Sequence, residues 1–471
     1  MQNQTQTVRE FGLRDKIGYM FGDIGNDFFF LLAGSFLMVF YTSVLGVEPG
    51  AAGTLFLVAR IVDAFTDITM GRIVDRTRPA KEGKFRPWIR RMCLPVVISG
   101  TLLFLPWISG LPMWGRMIYI YVTYILWGSF CYTAINIPYG SMASAITADP
   151  AQRGALSTFR SIGAALAGVI INVGVPLIIY RYDEAGNQIV IPMNFFALAA
   201  VFAVGALVCY LLCYRLTTER IPIQTKAGES RNFGKAVKDM ASNRALLAIV
   251  AAAVMLLLAM LFAQSMNVYL FMDYFKNKNA MSVAGFLSTA ATLVLAPFSG
   301  AIIKKIGKKE ASAAAVLFAA GVYAVLYALR LKNPWIFCLF VMFGNLGTGL
   351  FNLLIWAFIT DIIDYQEVVS GERNDGTIYA VYSFSRKLGQ ALAGGLGGWL
   401  LQAIGYQSSA AGETVVQTEQ VLRSIYSVAT IAPALCYLAV GMILLLWYPL
   451  NRQKVKENTE YLKAKRREQV R

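Results

Sequence analysis

Asp63 and Asp67 stand one helical turn apart in the stretch ARIVDAFTDITMGRIVDRTRP (59–79), and with the preceding GAAGTLFLV the run is about long enough to cross a bilayer. Positions i and i+4 share one face of a helix. Two carboxylates that close repel, so either one holds a proton or a cation lies between them. The pair therefore suits Na⁺ or Li⁺, held by oxygen ligands, or a transferable proton. Arg60, three residues before Asp63, lies on the same face. That leaves a plainer alternative, in which Arg60 and Asp63 form a structural ion pair and Asp67 faces water. A charge at the centre of a lipid-crossing helix costs about 2.5–3.5 kcal/mol, so each such residue needs a compensating reason.

The pattern recurs. FGDIGNDFFF (21–30) again places two acids, Asp23 and Asp27, one turn apart, with Asn26 as a polar neighbour. Asp27 lies deeper in the apolar run. Asp23 is open to a second reading, as an end-of-helix residue near water. CYTAINIPYGS (131–141) brings Tyr132, Thr133 and Asn136, and Pro138 frees a backbone carbonyl one turn earlier. Arg160 sits in STFRSIG, and Arg386 and Lys387 are adjacent in YSFSRKLGQ (382–390). Neighbours differ by about 100° around a helix, so at most one of those two points straight at a given cavity. Trp127, Tyr132, Tyr139, Trp356 and Tyr382 lie in or near the same segments. Sugar rings have apolar C–H faces that stack on such rings, and hydroxyls that seek Asp, Asn and Arg. Histidine is absent, and no nucleotide-binding loop, nucleophile constellation or His-containing metal motif occurs. This argues against an enzyme, an ATP-driven pump and a bound cofactor.

The elements that must position these residues follow from composition. The 471 residues are 57% hydrophobic and 15% charged, with long apolar runs from end to end. A lipid-crossing helix needs roughly 20 apolar residues. Twelve segments are expected, near 17–45, 50–74, 93–110, 117–146, 155–180, 191–214, 245–271, 283–303, 311–330, 335–363, 377–404 and 424–449. With both termini in the cytoplasm, 32 of the 43 Lys and Arg fall on that side, seven outside and four within helices. That asymmetry is what the positive-inside rule requires, and it makes a nucleic-acid reading of the +16 net charge unnecessary. Six cysteines lie in or beside apolar runs and indicate neither disulfides nor a metal site. The organisation expected is a six-helix bundle over 1–214, a basic central loop over 215–244, a second six-helix bundle over 245–450 and a basic tail over 451–471. GRIVDRTRPAKEGKFRPW (71–88) after the second helix is echoed by GAIIKKIGKKE (300–310) after the eighth, and Arg160 by Arg386. Two six-helix halves joined by such a loop are the plan of the major facilitator fold.

Several of these stretches resemble one family, the glycoside–pentoside–hexuronide:cation symporters. They are 59–89, NIPYGSMASAIT (136–147), DIIDYQEVVSGERNDGTIY (361–379), SFSRKLGQA (383–391) and IGKK (306–309). The resemblance implies an all-α membrane protein of the major facilitator fold that carries a sugar with H⁺ or Na⁺ by alternating access. It implies a cation site at Asp63 and Asp67 helped by Thr133, with Thr66 beside them. It implies sugar contacts from Asp27, Arg160 and Lys387, around which Asn26, Tyr132, Asn136 and Trp356 gather. Arg373 matches an arginine involved in closure, and Asp75 and Arg386 are placed with it as gating residues. Melibiose-type members differ at three positions. They carry aspartate at Asn136, tryptophan at Gly140 and asparagine at Thr66, which leaves open both the sugar and the choice of ion. The expected setting is the inner membrane, with a functional monomer. A lysolipid carrier of the same fold and a sugar sensor that moves nothing are the competing readings.

Overall fold

The computed structural model describes residues 9–470 apart from 81, 183, 185–187, 222–242, 371–374 and 410–414. It divides into two compact units, Met1–Gly228 with Gln407–Val415, and Glu229–Tyr406 with Val416–Arg471. The first unit contains α1 (Leu13–Ser43), α2 (Pro49–Arg76) and α3 (Arg86–Leu102). Next comes one rod made of α4 (Met113–Ile125), a π-helical stretch (Leu126–Tyr132) and α5 (Thr133–Ile146). It closes with α6 (Pro150–Ile179) and α7 (Pro192–Leu216), joined by a small antiparallel hairpin in which Tyr180 pairs with Val190. The second unit contains α8 (Arg244–Tyr269), α9 (Lys278–Ile306), α10 (Lys308–Leu329), α11 (Pro334–Ser370), α12 (Asp375–Ala403) and α13 (Glu419–Met442). The basic tail is itself helical, as α14 (Arg452–Val470), with Asn458 and Leu462 buried.

Among the described residues, eight helical rods are long and apolar enough to cross a membrane, and α9 makes a ninth although it bends by 52° at Leu295–Pro297. A proline removes one ladder bond and crowds the preceding turn, which accounts for the bend. Apart from the polar α14, three long helices remain, and they fall short for readable reasons. α2 carries Arg60, Asp63 and Asp67, α12 carries Arg386 and Lys387, and α3 has only 17 residues and begins with arginines.

In the first unit α1 lies against α6 and α7. Close approach is what Gly22 provides, since a Cβ there would overlap the Tyr139 ring and lie 2.9 Å from Cys213 Sγ. The same unit is tied at the end that holds the α1 N-terminus. Asp15, fully buried, accepts from Arg9 and Arg220 at 2.8 and 2.9 Å. All six cysteines are free thiols.

Candidate functional site

α2 faces the α4–α5 rod with two carboxylates, and the rod answers with two hydroxyls at the same spacing. Ser129 Oγ donates to Asp63 Oδ1 at 2.5 Å, and Thr133 Oγ1 donates to Asp67 Oδ1 at 2.9 Å. Arg60 Nη1 donates to the other oxygen of Asp63 at 3.1 Å. Ser129 and Thr133 are 1% and 5% exposed and Asp63 9%, so these bonds lie largely out of water. The π-helical stretch supplies Ser129 and ends at Tyr132, one residue before Thr133. A π-turn carries an extra residue, so it re-aims the side chains that follow, and such turns occur often at functional positions. Thr66 stands apart from this lane. Its hydroxyl donates to the Val62 and Asp63 carbonyls of its own helix, both at 3.2 Å, so its proton serves α2 itself.

A second cluster joins α1 to α5, α6 and α7. Arg160 Nε donates to Asp23 Oδ1 at 2.8 Å, and the guanidinium stacks over the Tyr139 ring at 5.5 Å. Tyr139 in turn stacks on Tyr19 at 4.7 Å and donates its hydroxyl proton to the Tyr19 carbonyl. Asp23 is 5% exposed and ion-paired, so of its two readings the water-facing helix end is the one the burial disfavours. The acid facing Arg160 is thus Asp23, while Asp27 is half-buried and takes no hydrogen bond or ion pair from a described residue. Asn26 donates to Asn136 Oδ1 at 3.4 Å and accepts from the Tyr210 hydroxyl at 3.0 Å. Tyr132 stacks on Phe30 at 5.8 Å with an interplanar angle of 16°, and Trp127 lies 5.5 Å away. Gly140 is exposed, and a Cβ there would meet nothing within 4 Å.

Arg386 and Lys387 are half-buried on α12 in the second unit. Arg373 lies outside the described residues, as do the side chains of Asp75 and Trp356. Three features escaped sequence reasoning. Ser129 stands four residues before Thr133, the spacing of the two aspartates, and that repetition was the available signal. Tyr210 gave none, because its partner Asn26 is 184 residues away. The third is the Lys308–Asp361 pair of the second unit, at 2.7 Å.

The family described as MFS/sugar transport protein matches residues 18–452. The chain belongs to it. It is a sugar transporter of the major facilitator fold, of the glycoside–pentoside–hexuronide type, and not an enzyme. It is 32% identical over 451 residues to the uncharacterized symporter YjmB of Bacillus subtilis, covering 95% of each chain. It is 29% identical to the glucuronide carrier protein homolog of Escherichia coli, covering 94% of each. The inner membrane symporter YicJ of Escherichia coli is 30% identical, over 97% of this chain and 96% of that one. Among solved structures, a D-xylose-proton symporter superposes with a TM-score of 0.61 at 12% identity, covering 93% of this transporter and 97% of that chain. At that identity the likeness concerns the fold alone.

Proposed function

We propose that this transporter couples entry of a neutral glycoside or xyloside to a monovalent cation bound between α2 and the α4–α5 rod. The observation that carries the cation half is the pair of rungs Asp63–Ser129 and Asp67–Thr133. Each rung joins an anionic oxygen to a hydroxyl, and a hydroxyl that now donates to a carboxylate can turn its lone pairs to an entering ion. Four side chains then offer oxygens to one small volume, as a hard cation requires. Arg60 does not cancel the site, because it engages one oxygen of Asp63 and not the oxygen that Ser129 faces, and Asp67 accepts from Thr133. Asp27 and Arg160 with Asn136, Tyr132 and Asn26 form the sugar-recognition face of the first unit, and Lys387 is assigned the same substrate from α12. Cation binding raises sugar affinity, and by linkage sugar raises cation affinity equally. Asp75, Arg373 and Arg386 are assigned to gating. The protein works as a monomer in the cell membrane, with both termini and the 215–244 loop in the cytoplasm, as its Lys and Arg distribution requires.

The leaning to neutral sugars rests on charge. Arg160 is bonded to Asp23, while Asp27 takes no hydrogen bond or ion pair from a described residue, and its carboxylate can accept two sugar hydroxyls. A uronide is the second reading, favoured by the relative named a glucuronide carrier homolog. It would place its carboxylate on the remaining N–H groups of Arg160. Uptake into membrane vesicles of glycosides, xylosides and uronides, with and without Na⁺ and at several pH values, separates the readings. Cation-stimulated accumulation of a neutral sugar, lost in Asp27→Asn, is expected. Glycoside transport that survives Asp27→Asn, with uronide transport destroyed by Arg160→Gln, turns the assignment to acidic sugars. Sugar binding without flux would make the protein a sensor.

A further inference from the structure

The two halves end alike in sequence but close their third helix differently. Across the end of α7 the chain runs CYRLTTER (213–220), and beyond α13 it runs WYPLNR (447–452). Aligned on the final arginine, Asn451 stands where the first half has Glu219, and Arg452 where it has Arg220. Glu219 closes the N-terminus of α3. Its carboxylate accepts the backbone N–H groups of Lys84, Phe85 and Arg86 at 2.7, 2.8 and 2.7 Å. This is the anion that the positive end of a helix calls for. In the second half the corresponding helix is α10, entered through Gly307 at a φ of +106°. The N–H groups of Lys308, Lys309 and Glu310 find no acceptor among the described residues.

Beside this turn is a cavity of about 360 Å³, lined among others by Lys308, Lys309, Asp361, Asn451, Arg452 and Phe358. Lys308 is neutralised by Asp361, to which it donates at 2.7 and 2.8 Å. The other two cations rest on main-chain carbonyls, Lys309 on Tyr448 at 2.7 Å and Arg452 on Lys305 at 3.4 Å. Neither has a carboxylate partner among the described residues. The lining therefore holds two positive charges that no acid offsets. Outside the cavity lining, the hydroxyls of Ser312 on α10 and of Tyr448, whose carbonyl holds Lys309, are buried without hydrogen-bond partners. Such atoms are rare in folded proteins, and each calls for a reason.

We propose that this cavity binds a phosphate group, which supplies to α10 the negative charge that Glu219 supplies to α3. Lys309 and Arg452 pair with the phosphate oxygens, and the N–H groups of the first α10 turn add to them. Two acids stand nearby: Asp361, held by Lys308, and Glu310, whose Oε2 lies 2.5 Å from where a Gly307 Cβ would stand. The phosphate comes either from the headgroup of an anionic phospholipid or from a soluble phosphate ester. Basic pockets at one end of a helical bundle take headgroups of that kind.

The test uses the purified full-length protein in uncharged detergent. Its thermal midpoint is followed against inorganic phosphate, glycerol phosphate, and short-chain phosphatidylglycerol or phosphatidylcholine, with ionic strength matched by potassium chloride. A ligand that binds only the folded state raises the midpoint in a saturable way. A response to phosphatidylglycerol alone identifies a lipid headgroup, and a response to the phosphates as well identifies a soluble ester. Lys309→Gln should raise the half-saturating concentration by about tenfold, the loss of one charge-assisted bond. Glu310→Gln should lower it. Asn451→Glu gives the second half the carboxylate of the first, so it should abolish the response while the protein remains folded. No saturable response in the wild type, or a response that Asn451→Glu and Lys309→Gln leave unchanged, overturns the proposal.

Discussion

Asp63 and Asp67 on α2, and Asp23 and Asp27 on α1, are two acid pairs of identical spacing, yet their surroundings make them chemically unlike. The α2 pair meets a hydroxyl on each carboxylate, and Asp63 also accepts from Arg60 through its other oxygen. The α1 pair is split, with Asp23 neutralised by Arg160 and Asp27 left to a half-buried face. A four-residue step fixes which face two acids share. What stands across from that face decides whether they hold an exchangeable ion, a permanent counter-ion or a substrate hydroxyl. A hydroxyl partner can turn its lone pairs to an entering cation, so the oxygens facing Ser129 and Thr133 stay open to one even while Arg60 holds the other oxygen of Asp63. Asp23 meets a guanidinium instead, and separating that pair leaves a buried charge on each side.

The largest effect expected from this contrast lies on α2. Asp63→Asn or Asp67→Asn should lower cation-driven accumulation by about 100-fold, at or beyond the loss typical of disturbing a metal ligand's support. Downhill sugar exchange should persist in both, as measured by counterflow in proteoliposomes. Asp23→Asn should leave the response to Na⁺ or pH in place. If Asp23→Asn removed cation stimulation and Asp67→Asn did not, the roles of the two pairs would have to be exchanged.

The next effect concerns stability. Arg160→Gln leaves Asp23, 5% exposed, without its counter-ion. Breaking a fully buried pair costs about 3–5 kcal/mol, and the 45% exposure of the Arg160 side chain reduces this to about 2 kcal/mol. The double variant Asp23→Asn with Arg160→Gln should recover part of the loss. Asp27→Asn, which removes no hydrogen bond or ion pair to a described residue, should change stability by no more than about 0.5 kcal/mol. Thermal unfolding in detergent distinguishes the three, and an equal loss in Asp23→Asn and Asp27→Asn would erase the contrast.

A smaller effect falls on the rung that the sequence did not disclose. Ser129→Ala removes a hydroxyl from a carboxylate, a bond to a charged group worth about 1.5–3 kcal/mol. The Na⁺ concentration for half-maximal stimulation should rise about tenfold, and Ser129→Thr, which keeps the hydroxyl, should restore it. An unchanged Na⁺ response in Ser129→Ala would leave Thr133 as the lone hydroxyl of the site.

Those rungs also mark where sequence reasoning reached and stopped. The long helices, the two six-helix groups and the aspartate face of α2 follow from apolar length and a regular 3.6-residue period. Ser129 was legible only through its four-residue step to Thr133, because it sits in a π-turn where the regular period shifts. The choice of Arg160 between Asp23 and Asp27 was equally hidden. Both acids lie on one face of α1, and only the packing of α1 against α6 decides which one the guanidinium meets. Glu219 reads as an ordinary loop acid until the α3 N-terminus is brought to it from more than 130 residues away.

The smallest expected effect tests whether the asparagines between the two acid pairs act in recognition or only in support. Tyr210, fully within the core, donates to Asn26 Oδ1 at 3.0 Å, and the same amide reaches Asn136 Oδ1 at 3.4 Å. The first bond is well formed and the second is long, so Tyr210 orients Asn26 firmly and Asn26 holds Asn136 weakly. Tyr210→Phe keeps the ring and removes one neutral hydrogen bond, at a cost of about 1 kcal/mol. Asn26 then loses its anchor, but Asn136 loses only a marginal contact, so the ratio of glycoside to uronide transport should stay within about twofold of wild type. Asn136→Asp places a third carboxylate near Asp27 and should disfavour any acidic sugar without touching Tyr210. If Tyr210→Phe shifts sugar preference as far as Asn136→Asp does, the asparagine chain transmits orientation from α7 to the substrate, and the two acid pairs are not independent sites.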